Sequence, residues 1–129
     1  MSTLKVDNLL NSAGNESPIS VPGAAKVWIN FNGGGTAGIR DSYGISTLTD
    51  NGTGDYTLGF TNSFSDTNYC VVSGGWNSAA GDGSWNAVGS SSTSNYPAGL
   101  ATNNVRINCF NSSGQPQDQQ AVYIAIFAD

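Results

Sequence analysis

The sequence contains no histidine. Histidine is the commonest general base in enzymes and a frequent metal ligand, so its absence excludes Ser-His-Asp and Cys-His arrangements and most catalytic metal sites. The nine acidic side chains remain as possible acid–base pairs for glycoside hydrolysis, but nearly all of them fall in predicted turns, where Asp is common for structural reasons. The composition therefore predicts that the protein is not an enzyme.

Charged residues are also scarce. Lys, Arg, Asp and Glu together make up 10% of the chain, and the formal net charge is -5. The four cations are scattered along the sequence: Lys5, Lys26, Arg40 and Arg106. Binding of a polyanion needs clustered Lys and Arg, so the sequence argues against nucleic acid as a partner.

Long apolar runs are absent as well. No run is long enough to span a bilayer, and Met1 to Asn8 lacks the hydrophobic region of a signal peptide. We therefore expect no membrane insertion and expect assembly in a cytosol.

Only two cysteines are present, Cys70 and Cys109, and each lies in an apolar run. Cytosolic thiols usually stay reduced, so two buried free thiols are favoured over a disulfide. Two distant cysteines without any histidine are too few ligands for zinc. We expect no metal and no cofactor.

Short runs of alternating apolar and polar residues fill most of the chain, separated by Gly, Ser, Thr and Asn. A period of two predicts strands, and their spacing is typical of a β-sandwich or jelly roll. About eight strands are expected near 25–31, 37–42, 44–49, 55–60, 68–74, 84–89, 103–110 and 120–127. We predict an all-β fold with a single β-sandwich or jelly-roll-like domain of antiparallel strands over residues 24–129, preceded by an extended N-terminal arm over residues 1–23.

The alternation also predicts the core. Val27, Ile29 and Phe31 share one face of a strand, as do Val105, Ile107 and Cys109. The predicted core residues are Val27, Trp28, Ile29, Phe31, Leu58, Phe60, Val71, Ile107, Ile124 and Ile126.

A hairpin is predicted where Asp50-Asn-Gly-Thr-Gly-Asp55 separates two strand-like runs, Ile45–Thr49 and Tyr56–Phe60. The loop is rich in oxygen ligands, but Gly52 and Gly54 occupy the third and fifth places and do not fit an EF-hand. A plain turn is favoured over a calcium loop.

This segment resembles one that recurs in fibre and appendage proteins of tailed bacteriophages, especially marine ones. In that family it follows a strand that Ala25-Lys-Val-Trp-Ile-Asn-Phe-Asn-Gly33 matches. The resemblance covers residues 25–60 closely and the closing strand Val122–Phe127 more loosely. The opening Ser2–Asn8 is similar to the start of many virion proteins.

The resemblance implies a virion structural protein assembled in the host cytoplasm. It favours an appendage, a tail fibre or knob that recognises the host surface through loops at its tip. The alternative is a capsid decoration (cement) protein or a minor tail protein with a purely structural role. Domains of this family are usually homotrimeric, and a trimer would cover the second apolar face of the last strand, Val122–Phe127. A central strand with cover on both sides would explain that strand equally well.

Two further surfaces are predicted. Leu4, Val6, Leu9 and Leu10 are apolar side chains in an arm too short to fold alone, so we expect them to anchor the arm on another copy or on another virion protein. Aromatic rings beside amide and carboxylate groups suit sugar recognition. The candidate glycan surface consists of Trp76, Asn77, Asp82, Trp85, Asn86 and Tyr96, and the alternative is that these aromatic residues belong to the core.

Overall fold

The computed structural model describes residues 24–77, 85–88 and 99–128, with Trp85 and Ala87 described by their backbone alone. The arm over 1–23, with the predicted anchors Leu4, Val6, Leu9 and Leu10, lies outside the described residues. Asp82 and Tyr96 also lie outside them.

Two four-stranded antiparallel sheets form a sandwich. The strands are β1 (Val27–Asn32), β2 (Gly38–Tyr43), β3 (Ile45–Gly52), β4 (Asp55–Phe60), β5 (Cys70–Trp76), β6 (Trp85–Val88), β7 (Asn104–Phe110) and β8 (Ala121–Phe127). Sheet I has the order β2-β1-β8-β5, and sheet II has the order β3-β4-β7-β6. The predicted all-β sandwich is confirmed, with strand positions that differ from the prediction by only a few residues.

The core lies between the sheets and follows the predicted alternation. In β1 the odd-numbered residues Val27, Ile29 and Phe31 point inward and are buried. Sheet I also buries Val122, Ile124 and Ile126, and sheet II buries Tyr56, Leu58, Phe60, Val105, Ile107 and Cys109. Because β8 pairs with β1 on one side and β5 on the other, the last strand is central in sheet I.

Two predicted burials are wrong. Trp28 is 37% exposed, because its neighbours Val27 and Ile29 occupy the inner side of β1 and alternation turns Trp28 outward. Cys70 is a free but exposed thiol at the start of β5, whereas Cys109 is free and buried. Val71 is half-buried and packs against the core.

The predicted hairpin joins β3 to β4. Gly52 and Gly54 supply its positive φ angles, 131° and 67°, which a residue with a Cβ rarely adopts. The Asp50 carboxylate accepts a hydrogen bond from the Gly52 N–H at 2.9 Å, and the Asp55 carboxylate accepts hydrogen bonds from Arg106. Both carboxylates thus have protein partners.

Among residues 24–77, 85–88 and 99–128, none belongs to a helix long and apolar enough to cross a membrane. The same residues contain no group of three or more Cys, Asp or Glu side chains placed to hold a metal ion.

Candidate functional site

The exposed large apolar side chains are not spread evenly over the sandwich. In the part of the chain that the structure describes, all of them belong to the strands of sheet I. They are Trp28, Ile39, Tyr43, Val72, Trp76 and Tyr123. An apolar surface concentrated on one sheet marks a contact with another molecule more often than scattered apolar residues do.

The strand register brings several of them into one row. Trp28 of β1 lies opposite Tyr43 of β2 on one side and Ala125 of β8 on the other. Ala125 in turn lies opposite Val72 of β5. Side chains at directly paired positions point to the same side of a sheet and touch. The row therefore crosses all four strands without a charged residue.

A second row of side chains lies two residues away along each strand, on the same side of the sheet. Asn30 of β1 pairs with Asp41 and with Tyr123, and Tyr123 pairs with Gly74. This row adds one aromatic ring and places polar groups toward the β2 edge. Trp76, at the end of β5, is 56% exposed. We call Trp28, Tyr43, Val72, Trp76, Tyr123 and Ala125 the aromatic face.

The outer side of sheet II is different. Thr57 of β4 pairs with Thr49 of β3 and with Arg106 of β7, so the comparable row is polar. Arg106 also forms an ion pair with Asp55. Its Nε donates to Asp55 Oδ1 at 2.7 Å, and this hydrogen bond is the main cause that raises the pKa of Arg106. Among the described residues, exposed large apolar side chains are therefore found on the strands of sheet I and not on those of sheet II.

Arg40 fixes the β2 edge beside the aromatic face. Its guanidinium donates to the backbone oxygens of Gln120 at 2.5 Å and Phe31 at 3.2 Å, and to the Asn30 side chain at 3.4 Å. The hydrogen bonds cross from β2 over β1 to the residue just before β8. A β-bulge between Asn30 and Phe31 lies in the same place. The cation therefore reaches across β1 beside Asn30 and does not lie in the apolar row.

A buried polar network holds the two sheets together at one end. The hydroxyl of Tyr56 lies 2.8 Å from Asp118 Oδ1 and 2.9 Å from the Gly33 carbonyl oxygen. Asp118 Oδ1 also accepts the Gly54 N–H at 2.7 Å. Burial, followed by the hydrogen bond to Asp118, raises the pKa of Tyr56 far above its ordinary value. The network ties sheet II to the segments flanking sheet I.

The predicted glycan residues do not converge on one described surface. Trp76 belongs to the aromatic face, and Asn77 after it is partly buried. Asn86 pairs with Cys109 on the inner side of sheet II, and both amide atoms of Asn86 are buried without a hydrogen-bond partner among the described residues. A buried amide does not fit the exposed sugar contact predicted for Asn86. Asp82, Tyr96 and the Trp85 side chain lie outside the described residues.

The sequence prediction missed Tyr43, Val72 and Tyr123 as surface residues. A signal was present in the closing strand, where alternation places Tyr123 and Ala125 on the outer side of the sheet and the buried Val122 and Ile124 on the inner side. The same reasoning applied to β1 turns Trp28 outward. What the sequence did not contain is the strand order that brings these residues into one row.

Comparison with protein-family models, with curated proteins and with solved structures finds no match for this chain.

Proposed function

We propose that this chain is a virion structural protein of a tailed phage, an appendage knob that associates with copies of itself through the aromatic face. The single observation that carries the proposal is that every large apolar side chain exposed on the described residues belongs to sheet I. The resemblance of residues 25–60 to phage fibre proteins supports the virion location. Both together favour a homotrimer built from the sandwich domain.

The physical reason for association is the cost of leaving the aromatic face in water. Contiguous apolar patches beyond a few hundred Å² are rare on monomeric proteins, and aromatic residues are enriched where proteins meet. Trp28 and Tyr123 supply rings on two central strands, and Val72 extends the surface to the β5 edge. Covering the face in a closed ring of copies removes it from water without leaving a surface for further growth.

Host recognition, in this proposal, is multivalent. Several identical knobs on one particle raise the avidity for a surface glycan even when each contact is weak. Trp76 is the described candidate for a ring that stacks on a sugar, because it is 56% exposed at the end of β5. The N-terminal arm docks on another copy or on another virion protein, and the virion assembles in the host cytoplasm.

Self-association is tested by placing a charge on the aromatic face. Val72→Glu puts a carboxylate in the apolar row on an edge strand, where the fold tolerates it, and Thr49→Glu is the matched control on the edge strand of sheet II. We expect sedimentation equilibrium at micromolar concentration to give a trimer for the wild type and for Thr49→Glu. Val72→Glu should sediment as a folded monomer with an unchanged far-ultraviolet circular dichroism spectrum. A monomeric wild type would refute the proposed assembly.

The position on the particle separates the appendage from the alternative role. Immunogold labelling or a cryo-electron microscopy map of the virion should show a few copies at the tail. Many copies distributed over the head would instead favour a decoration protein.

A further inference from the structure

The proposed assembly leaves open which part of one copy covers the aromatic face of the next. We infer that the covering element is the N-terminal arm, residues 2–12, of a neighbouring copy. The inference rests on the proposed self-association and names the contact that produces it.

The arm joins the sandwich in the sheet that needs cover. The backbone N–H of Lys26 donates to the Ile126 carbonyl at 2.8 Å, so the chain enters sheet I beside β8. At this end of the sheet Cys70 pairs with Phe127, directly after the pair formed by Val71 and Ile126. The arm therefore leaves each knob at one end of its own aromatic face. The exposed thiol of Cys70 lies at the same end, on the far side of β8.

The sequence of the arm is suited to an apolar sheet. Leu4 and Val6 alternate with Lys5 and Asp7, which in an extended chain puts both apolar side chains on one side. In the same extended chain Leu10 falls on the side of Leu4 and Val6, and Leu9 falls on the side of Lys5. Leu4, Val6 and Leu10 would then lie on the face, with Lys5 directed away from it.

The distances allow exchange between copies. A four-stranded sheet is about 15 Å wide, and a strand of six or seven residues is about 20 Å long. Residues 13–23 reach up to about 36 Å when extended, so they can carry residues 2–12 beyond their own knob. These intervening residues are mostly small or polar and contain Pro18, Pro22 and Gly23, a composition typical of a connecting segment.

The choice of a neighbouring copy over the arm's own knob follows from the proposed self-association. An arm folded back on its own knob would cover the aromatic face and remove the apolar surface that drives association. Exchange gives every copy one donated arm and one face that accepts an arm. Such head-to-tail contacts close into a ring in which every face is covered.

Cys70 provides a direct test in the full chain, because its exposed thiol marks the aromatic face while Cys109 is fully buried. Leu4→Cys, Val6→Cys and Leu10→Cys are made one at a time and oxidised mildly. A disulfide forms only where the two Cα atoms approach to within about 7 Å. We expect covalently linked dimers and trimers on non-reducing gels, with peptide mass mapping that joins the arm to Cys70. Adding Cys70→Ser to the same variants should abolish the cross-linked species. Lys5→Cys is the matched control for the outward side of the arm.

The remaining outcomes separate the two proposals. An arm–Cys70 disulfide within one chain would overturn the exchange. Absence of cross-links from all three variants, with the trimer intact by sedimentation, would overturn arm docking and leave the proposed self-association standing. Cross-linking by Lys5→Cys as strong as that by Leu4→Cys would also contradict the inference, since it indicates random collisions.

Discussion

At the scale of single residues, alternation along a strand decides whether a side chain stabilises the core or faces outward. Ile107 and Ile124 lie in central strands and are 0% and 3% exposed, and Ile39 of the edge strand β2 is 44% exposed. We expect Ile107→Ala and Ile124→Ala each to lower the free energy of unfolding by about 2–5 kcal/mol, because each leaves a cavity between the sheets. Ile39→Ala should change it by no more than about 0.5 kcal/mol. Urea unfolding followed by tryptophan fluorescence measures all three, and equal losses would show that burial does not control the result.

The buried thiol of Cys109 predicts a pH dependence of stability. Burial, followed by the nearby Asp118 and Asp55 carboxylates, raises the pKa of Cys109 from 9.0 to about 12. The unfolded chain therefore loses this proton at lower pH than the folded chain does, so stability present below pH 9.0 declines as the pH rises toward 12. Between pH 9 and 10 the wild type should lose about 1 kcal/mol through this group.

Cys109→Ala removes that loss. The variant is less stable at every pH because of its cavity, but its free energy of unfolding should fall less between pH 9 and 10 than that of the wild type. Val105→Ala, another buried change on β7, is the control that keeps the full decline. The pKa values of Tyr56 and Tyr69 are also raised above the ordinary value of 10.0. Both tyrosines add to the decline in stability at higher pH, so the comparison does not go beyond pH 10. An unchanged slope in Cys109→Ala would contradict the assignment.

At the scale of elements, the β3–β4 hairpin depends on Gly54. Its φ is 67°, and a Cβ there would lie 2.4 Å from the Cys109 carbonyl oxygen and 2.7 Å from the Gln117 backbone nitrogen. Neither backbone atom can move without disturbing β7 or the loop after it. We expect Gly54→Ala to cost at least about 2 kcal/mol in unfolding experiments. Gly38→Ala, where a Cβ meets nothing within 4 Å, should be nearly neutral. Similar stability of the two variants would show that the hairpin can rearrange.

The elements are also where the sequence was most predictive. Periodicity located the strands because alternation is a local property, and Asn51–Gly52 identified the hairpin. Sequence analysis could not find the aromatic face, because Trp28, Tyr43 and Val72 come together only through pairings across β1, β2, β8 and β5. The predicted glycan surface illustrates the same limit. Asn86 is close to Trp85 in sequence, yet strand pairing with Cys109 turns its amide into the interior.

At the scale of the whole molecule, the described rows on the outer sides of the two sheets differ in character. The row Thr49, Thr57 and Arg106 is suited to water, and the row Tyr43, Trp28, Ala125 and Val72 is suited to a protein contact. If copies associate through sheet I, as we propose, association adds stability to the core that both sheets share. Folding and assembly are then linked equilibria.

That linkage makes thermal stability depend on protein concentration. When only the folded chain associates, raising the concentration shifts the equilibrium toward the folded assembly by mass action. We expect the midpoint of thermal unfolding of the wild type to rise steadily as the concentration is increased from about 1 to 100 μM. Val72→Glu should unfold at a lower midpoint that does not change with concentration, because the carboxylate disrupts the contact made through the aromatic face. Thr49→Glu, on the polar side, should keep the concentration dependence of the wild type. A wild-type midpoint that stays constant over this range would show that unfolding is not linked to association, and it would contradict the proposed assembly.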